Sequence, residues 1–261
     1  MADREKIIRY YRGTEGAEIA ARLIDIAENV VHNRKFKVSE FLDPYGYTVA
    51  ETIAANYEHI NLLSDGGYNG AERQRVAFIN DEFLGKVNFN IVALKAIWNE
   101  RYYDIAHRDV LGALIGIGID RHVIGDILVK GDHAKIIVDG AIVEFIQQNF
   151  IQIGAASISV ENCALSEIQT REEKCKEIKA TVASLRLDSV ASSGFGSSRS
   201  KISDDIAAEK VKVNWQPAKS CSQSIKEGDI ISMRGRGRVE VAEIRGQTKK
   251  GRIGIFLKRY I

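Results

Sequence analysis

The last third of the chain concentrates side chains that bind phosphate. Residues 182–261 contain 16 Lys or Arg against 8 Asp or Glu, a net charge of +8, whereas the rest of the chain carries 21 basic and 27 acidic side chains, a net charge of −6. This asymmetry is typical of a polyanion-binding module joined to neutral or acidic domains. The alternative is chance clustering of charges on a solvated face.

The spacing of these charges favours a phosphate-binding surface. Ser197 or Ser198 is expected to cap a helix that puts Arg199 and Lys201 in its first turn. Free backbone amides and the helix dipole attract phosphate at that end of a helix. Arg186 is expected on the preceding helix, beside them.

A second group of charges follows in predicted strands. Lys212 and Asn214 are two residues apart, so in a strand they share a face. Three arginines alternate with glycines, which let the backbone approach a phosphate closely. Each feature alone is also compatible with solvated charge, and only their coincidence predicts a site. The predicted RNA-binding residues are Arg186, Arg199, Ser200, Lys201, Lys212, Asn214, Arg234, Arg236 and Arg238.

Hydrophobic periodicity predicts an α+β chain with three domains. Residues 1–75 are expected to be mostly helical, with one helix through Ile19 and Val30 and another from Thr48 to about Glu58. Residues 76–165 follow the β-α-β-β-α-β order of a ferredoxin-like domain. Residues 166–181 are expected to be a charged linker. Residues 182–261 are expected to form two short helices followed by strands.

Several C-terminal segments resemble the small RNA-binding domain first seen in small-subunit ribosomal protein S-four, the alpha-L motif. They are Ser184-Leu185-Arg186-Leu187-Asp188, Gly194-Phe195-Gly196-Ser197-Ser198-Arg199-Ser200-Lys201, Val211-Lys212-Val213-Asn214-Trp215 and Gly228-Asp229-Ile230-Ile231. The resemblance covers about 60 residues in the order of the motif. It implies a domain that binds structured RNA.

Upstream segments extend the resemblance to the whole chain. They are Phe41-Leu42-Asp43-Pro44, Asp65-Gly66-Gly67-Tyr68, Ala71-Glu72-Arg73, His107-Arg108-Asp109-Val110-Leu111-Gly112 and Gly125-Asp126-Ile127-Leu128. Together with the C-terminal domain they resemble the bacterial YlmH-type proteins. The ending Gly237-Arg238-Val239-Glu240-Val241 is most similar to a cyanobacterial and plastid branch labelled photosystem II S-four-domain protein.

The resemblance implies an RNA-recognition-like middle domain and RNA partners. These are ribosomal RNA or tRNA, on the ribosome and its large subunit, including stalled subunits that carry peptidyl-tRNA. The middle domain departs from RNA-recognition domains because its third strand, residues 134–138, lacks the aromatic pair that stacks bases. Protein contact or domain packing is therefore at least as good an expectation for that sheet.

Catalytic and metal-binding patterns are absent from the sequence. No histidine pairs with another His or Cys at metal-ligand spacing. His107-Arg108-Asp109 resembles a kinase loop but has Leu114 where that loop needs asparagine. A non-catalytic protein without cofactor, metal or small-molecule substrate is therefore expected. The alternatives are an RNA-modifying enzyme, or a scaffold for cell division or photosystem II assembly.

The sequence also predicts where the protein resides. No stretch reaches the ~18 apolar residues of a membrane span, and the first residues lack a secretory signal. The three cysteines form no Cys-x-x-Cys pair. A reducing cytoplasm, without membrane insertion, is the expected location.

Overall fold

The computed structural model describes residues 4–11, 16–168, 175–248 and 251–260. Contacts divide the chain into two compact units, residues 1–170 and 171–261. The predicted α+β class is confirmed. The helices are α1 (Arg4–Tyr11), α2 (Gly16–Asn33), α3 (Pro44–Ala54), α4 (His107–Gly116), α5 (Val143–Asn149), α6 (Leu187–Phe195) and α7 (Arg199–Ala207). None of the helices within the described ranges is long and apolar enough to cross a membrane.

The strands account for most of the remaining structure. The strands of the first unit are β1 (Phe36–Leu42), β2 (Ile60–Asp65), β3 (Gln74–Asn80), β4 (Ile91–Ile97), β5 (Ile124–Lys130), β6 (His133–Asp139), β7 (Gln152–Ile153), β8 (Ala156–Ser157) and β9 (Ser159–Cys163). Those of the second unit are β10 (Cys175–Val182), β11 (Val211–Val213), β12 (Gln216–Pro217), β13 (Ile230–Met233), β14 (Gly237–Gln247) and β15 (Ile253–Tyr260).

The N-terminal part of the first unit combines three helices with a sheet. The predicted apolar stripe of α2 is confirmed, because its side chains from Ala20 to Val30 are buried at helical spacing. Helix α3 begins at Pro44 rather than at Thr48, because the Asp43 carboxylate accepts a 2.8 Å hydrogen bond from the Gly46 amide and caps the helix there. An antiparallel sheet of order β1-β3-β2, which was not predicted, accompanies the helices.

The middle of the first unit has the predicted ferredoxin-like order. Strands β4, β5, β6 and β9 form an antiparallel sheet of order β5-β6-β4-β9, with α4 after β4 and α5 after β6. One face of this sheet packs against the helices through Leu94, Val110, Leu114, Ile136 and Ile146, all fully buried. The burial of these side chains fixes which face each strand turns toward the helices.

The other face of that sheet is covered by the same unit. Ala93 on β4 and Ile137 on β6 are buried against Phe41, at the end of β1, and against Ile168. Tyr68, from the loop between β2 and β3, packs on the same cluster. Both faces of the middle sheet are therefore occupied, as in a buried layer of a domain.

The second unit is a six-stranded sheet covered on one face by two helices. The strand order is β10-β15-β14-β13-β11-β12, antiparallel throughout. Helix α6 lies close to the sheet at Gly194, where a Cβ atom would stand 2.8 Å from the Val239 side chain. Phe195 from α6 and Ile202 from α7 complete a core with Leu257.

The predicted linker of residues 166–181 needs correction. Residues 169–174 lie outside the described part of the chain, but residues 175–181 belong to β10, which pairs with β15 along its whole length. Ile178, Ala180 and Val182 alternate along this strand and pack on the core. The charged residues between them concealed this alternation in the sequence, because they occupy the solvent face.

Candidate nucleic-acid interface

The corner between α6 and α7 sets the position of the first group of basic residues. Helix α6 ends at Gly196, whose φ of 60° is a left-handed conformation that glycine adopts readily. Ser198 caps α7, and its hydroxyl accepts a 3.3 Å hydrogen bond from the Lys201 amide. The predicted cap is therefore confirmed at Ser198, and Arg199 and Lys201 lie in the first turn of α7.

A buried carboxylate organises the arginines at this corner. Asp188, in the first turn of α6, accepts hydrogen bonds from Arg186 at 3.2 and 3.3 Å and from Arg199 at 2.6 Å. The Asp188 side chain is 7% exposed, whereas those of Arg186 and Arg199 are 44% and 53% exposed. Arg186 is the residue before α6 rather than a member of it. Asp188 thus holds two guanidinium groups while leaving about half of each to solvent.

The electrostatics of the cluster keep Asp188 ionised. Burial raises its pKa, but the hydrogen bonds and positive charges of Arg186 and Arg199 outweigh burial, so the pKa lies below its ordinary value. The hydrogen bond to Asp188 in turn raises the pKa of Arg186. With Asp188 ionised and two guanidinium groups beside it, the cluster carries a net charge of about +1.

Arg236 reaches the opposite end of α6. Its guanidinium donates to the Ser197 hydroxyl at 3.0 Å and to the Phe195 carbonyl at 3.3 Å. Arg259 donates to the same carbonyl at 3.4 Å and lies over the Phe195 ring. Two positive charges thus satisfy the C-terminal end of α6, where the helix dipole is negative.

Three other predicted residues are exposed. Lys201 is exposed, and its ammonium group has no partner among the residues that the structure describes. Ser200 is exposed, with its hydroxyl 3.1 Å from that of Ser198. Arg234 is exposed in the turn between β13 and β14, where its backbone amide donates to the Lys210 carbonyl.

Lys212 and Arg238 lie on the other face of the sheet. They belong to one cross-strand row, in which Lys212 pairs with Ser232, Ser232 with Arg238, and Arg238 with Tyr260. Their strand neighbours, including Val239, are buried beneath the helices. Because alternate side chains of a strand point to opposite faces, this row faces away from α6 and α7. The structure therefore divides the predicted set between two surfaces.

Asn214 does not share the face of Lys212 as expected. It follows β11 with a φ of 50°, outside the extended conformation that sets strand alternation. Its side-chain amide donates to Asp229 at 2.8 Å, and its side-chain oxygen accepts from the Ile230 amide at 2.9 Å. Both hydrogen-bonding groups of this side chain are thus used in joining two turns.

Sequence reasoning missed three residues of this unit. Asp188 organises the arginines, Arg259 caps α6, and Tyr260 carries the Arg238 guanidinium 5.4 Å from its ring centroid. The sequence offered one signal for Asp188, because it is an aspartate two residues after Arg186 in a basic domain. The other two depend on pairing across the sheet, for which no local signal exists.

The expected weakness of the middle sheet as a base-stacking surface has a structural counterpart. Phe41 and Ile168 cover the sheet face that RNA-recognition domains use for stacking. The part of that face around Ala93 and Ile137 is therefore closed to RNA in this structure, whereas Lys95 and Glu161 on the same face are 30% and 58% exposed. Across the described parts of the chain, no group of three or more His, Cys, Asp or Glu side chains is arranged to hold a metal ion.

Three family models match consecutive parts of the chain. The model described as YlmH, N-terminal, matches residues 15–83, the putative RNA-binding domain in YlmH matches residues 85–167, and the S4 domain matches residues 185–231. The predicted YlmH-type resemblance and the S-four-type domain are confirmed. The photosystem II label stays a prediction.

Two individual proteins extend these matches. A solved structure, the cell division protein ylmH from Streptococcus pneumoniae, has a similar fold, with a TM-score of 0.52 and 22% identity over 60% of this chain and 95% of that one. The ribosome-associated protein quality control protein P2 of Bacillus subtilis is 31% identical over 255 residues, which are 97% of this chain and 98% of that protein. The chain therefore belongs to the YlmH family, with an S4 domain at residues 185–231.

Proposed function

We propose that the chain is a non-catalytic RNA-binding protein. It binds structured RNA on the ribosome, either ribosomal RNA or tRNA, through the helix-covered face of its second unit. The observation that carries this proposal is the pair of half-exposed arginines, Arg186 and Arg199, oriented by the buried Asp188. Lys201 and Ser200 extend the same surface, and Arg236 adjoins it at Ser197. The B. subtilis relative is named for association with the ribosome, which supports the ribosome as the place of action.

The geometry suits phosphate rather than a reacting substrate. Guanidinium groups fixed by a carboxylate present a planar fork that matches phosphate oxygens. Most protein–RNA contacts of this kind read shape and backbone, so a structured RNA fits better than a defined short sequence. Asp188 is engaged with both arginines, so its carboxylate serves to position them and not as a general base.

Three further points belong to the same proposal. The domain division is an N-terminal domain that ends after β3, a middle domain from β4 to about residue 165, and a C-terminal domain that begins with β10 at Cys175. The ribosomal partner makes the cytoplasm the location. The RNA contacts are assigned to Arg186, Arg199, Ser200, Lys201 and Arg236. Lys212 and Arg238 are assigned to a second, weaker set, because a rigid RNA helix on α6 and α7 does not reach the far face of the sheet. Arg234 joins that set because it lies in the turn between β13 and β14 and not on α6 or α7.

A charge-matched pair of double variants tests the proposal. R199A/K201A is expected to weaken binding to ribosomal RNA at low salt by about tenfold or more and to lessen the slope of affinity against salt by about 1.5. K176A/K179A removes two charges from the edge strand β10 and should leave affinity within about twofold. Gel shifts over a salt series and co-sedimentation with ribosomes measure both. If both variants lost RNA affinity equally, net charge alone would explain the loss and a defined site would be refuted.

A further inference from the structure

Two arginines in the first unit are held by backbone carbonyls. Arg73 donates from Nε to the Ile124 carbonyl at 3.0 Å and from Nη2 to the Phe41 carbonyl at 2.8 Å. Arg121 donates from Nη1 to the carbonyls of Ile124 at 2.7 Å and Gly125 at 3.1 Å. Because the Ile124 oxygen accepts from both, the two guanidinium groups are neighbours with like charge.

Neither of these charges is paired with a carboxylate. Within the described ranges, no Asp or Glu forms an ion pair with Arg73 or Arg121. Arg75 in the same unit is paired as buried arginines usually are, because it forms a 2.8 Å ion pair with Asp139. Burial and, second, repulsion from Arg73 together lower the pKa of Arg121 to about 10, against the opposing negative charges of Asp126, Glu72 and Asp43. A bound anion would remove this unfavourable energy.

Asp126, which directly follows Ile124 and Gly125 in the chain, already has hydrogen-bond donors for its carboxylate. Asp126 accepts hydrogen bonds from the Tyr68 hydroxyl at 2.7 Å, the Glu72 amide at 2.7 Å and the Arg73 amide at 3.1 Å. These three bonds fix the loop that carries Arg73, and they use the carboxylate for backbone and hydroxyl donors. The guanidinium of Arg73 is thus positioned, and its Nη1 donates to no described residue.

Both arginines line a small recess of about 100 Å³. Arg22 lines it too, with its side chain 43% exposed. Of the two carboxylates in the lining, Glu40 pairs with Arg22 at 3.1 Å and Asp43 caps α3. The recess is much smaller than the ~300 Å³ at which pockets for whole organic ligands begin. It has room for one small oxyanion.

We propose that this recess binds a single phosphate group, held by the paired guanidinium groups of Arg73 and Arg121, with Arg22 at its rim. Guanidinium groups match phosphate oxygens through parallel N–H···O bonds, and fixed guanidinium groups lose little entropy on binding. The phosphate comes either from free phosphate or from an RNA strand that inserts one phosphate. This site is distinct from the arginines of the second unit and goes beyond the function proposed above.

Phosphorus NMR of inorganic phosphate, titrated with the full chain at constant ionic strength, tests the site without depending on stability. Saturable broadening of the phosphate signal is expected. R121Q should weaken binding about tenfold or more, because it removes a charge-assisted donor pair. R22A, at the exposed rim, should weaken phosphate binding about threefold. It tests the site even if R121Q fails to fold. R75K is the matched control, since Arg75 is neutralised by Asp139, and should bind phosphate as the wild type does.

A competition identifies the source of the phosphate. In the R199A/K201A background, short RNAs with and without a 5′-phosphate compete against inorganic phosphate. Displacement by both RNAs supports the site and assigns it to backbone phosphate, displacement by the phosphorylated RNA alone assigns it to a strand end, and displacement by neither assigns it to free phosphate. Absence of saturable phosphate binding, or equal binding by wild type, R22A and R121Q, overturns the site. Neither result bears on RNA binding by the second unit.

Discussion

Arg199 begins α7, yet its guanidinium lies 2.6 Å from Asp188 in the first turn of α6, so one ion pair joins the two helices across their corner. Asp188 also holds Arg186, which precedes α6. The carboxylate is buried and the guanidinium groups are half-exposed. This arrangement makes Asp188 a positioning residue for the proposed RNA contacts.

Replacing Asp188 separates positioning from charge. D188N adds one positive charge to the net charge of the unit, so attraction alone would tighten RNA binding. We expect the opposite, an affinity about three- to tenfold lower, because Arg186 and Arg199 lose their shared acceptor and must be ordered on binding. Gel shifts with ribosomal RNA measure this, and E209Q, a charge-matched change at an exposed residue, is the control. Tighter binding by D188N would contradict the positioning role.

The same carboxylate predicts a pH dependence of stability. Because the pKa of Asp188 is lowered on folding from its ordinary value of 3.8, its contribution is complete above that value and is lost as pH falls through the folded pKa. Urea unfolding of wild type and D188N between about pH 7 and about pH 2 measures the difference. Wild type should be the more stable protein at neutral pH, and the gap should close at the acid end. A gap that is independent of pH would exclude the ion pair as its cause.

Gly194 predicts a packing limit. A Cβ atom there would stand 2.8 Å from the Val239 side chain and 3.3 Å from that of Leu257, so either α6 or the Val239 side chain must shift to admit one. G194A is expected to destabilise the second unit by about 1–3 kcal/mol, the usual cost of overpacking. G112A, in α4, where a Cβ atom would meet nothing within 4 Å, is the control and should be neutral or stabilising. Thermal unfolding of the full chain compares the two, and equal midpoints would disprove the close contact.

Asp126 predicts a clamp inside the first unit. It accepts three hydrogen bonds from the loop that carries Tyr68 and Arg73. D126A should destabilise the unit by about 3 kcal/mol, because it removes charge-assisted hydrogen bonds and leaves partly buried donors without an acceptor. Y68F removes one of these bonds and should cost about 1 kcal/mol. Hydrogen exchange of the Glu72 and Arg73 amides reports the loop directly. Unchanged exchange in D126A would show that the clamp does not hold it.

Local signals explain which parts of the fold the sequence predicts. The end of α6 at Gly196 and the cap of α7 at Ser198 follow from residue types that favour those conformations. The β-α-β-β-α-β order follows from periodicity and length. Residues 36–42 escaped prediction as a strand, because they lack strict alternation and both Phe41 and Leu42 are buried in succession.

The site was predicted less completely than the fold. Arg199 and Lys201 depend on a helix cap, which is local, and their position in α7 is confirmed. That Lys212 and Arg238 lie on the far side of the sheet depends on which face α6 covers, a tertiary choice that spacing does not encode. Their assignment to RNA stays a prediction.

The covering of the middle sheet by Phe41 and Ile168 limits what an excised fragment can report. A fragment limited to residues 85–167 would lack both side chains and expose Ala93 and Ile137 to water. The fragment would expose an apolar surface that binds other molecules non-specifically and that is buried in the full chain. Affinity for nucleic acid measured on it would describe a surface created by the cut.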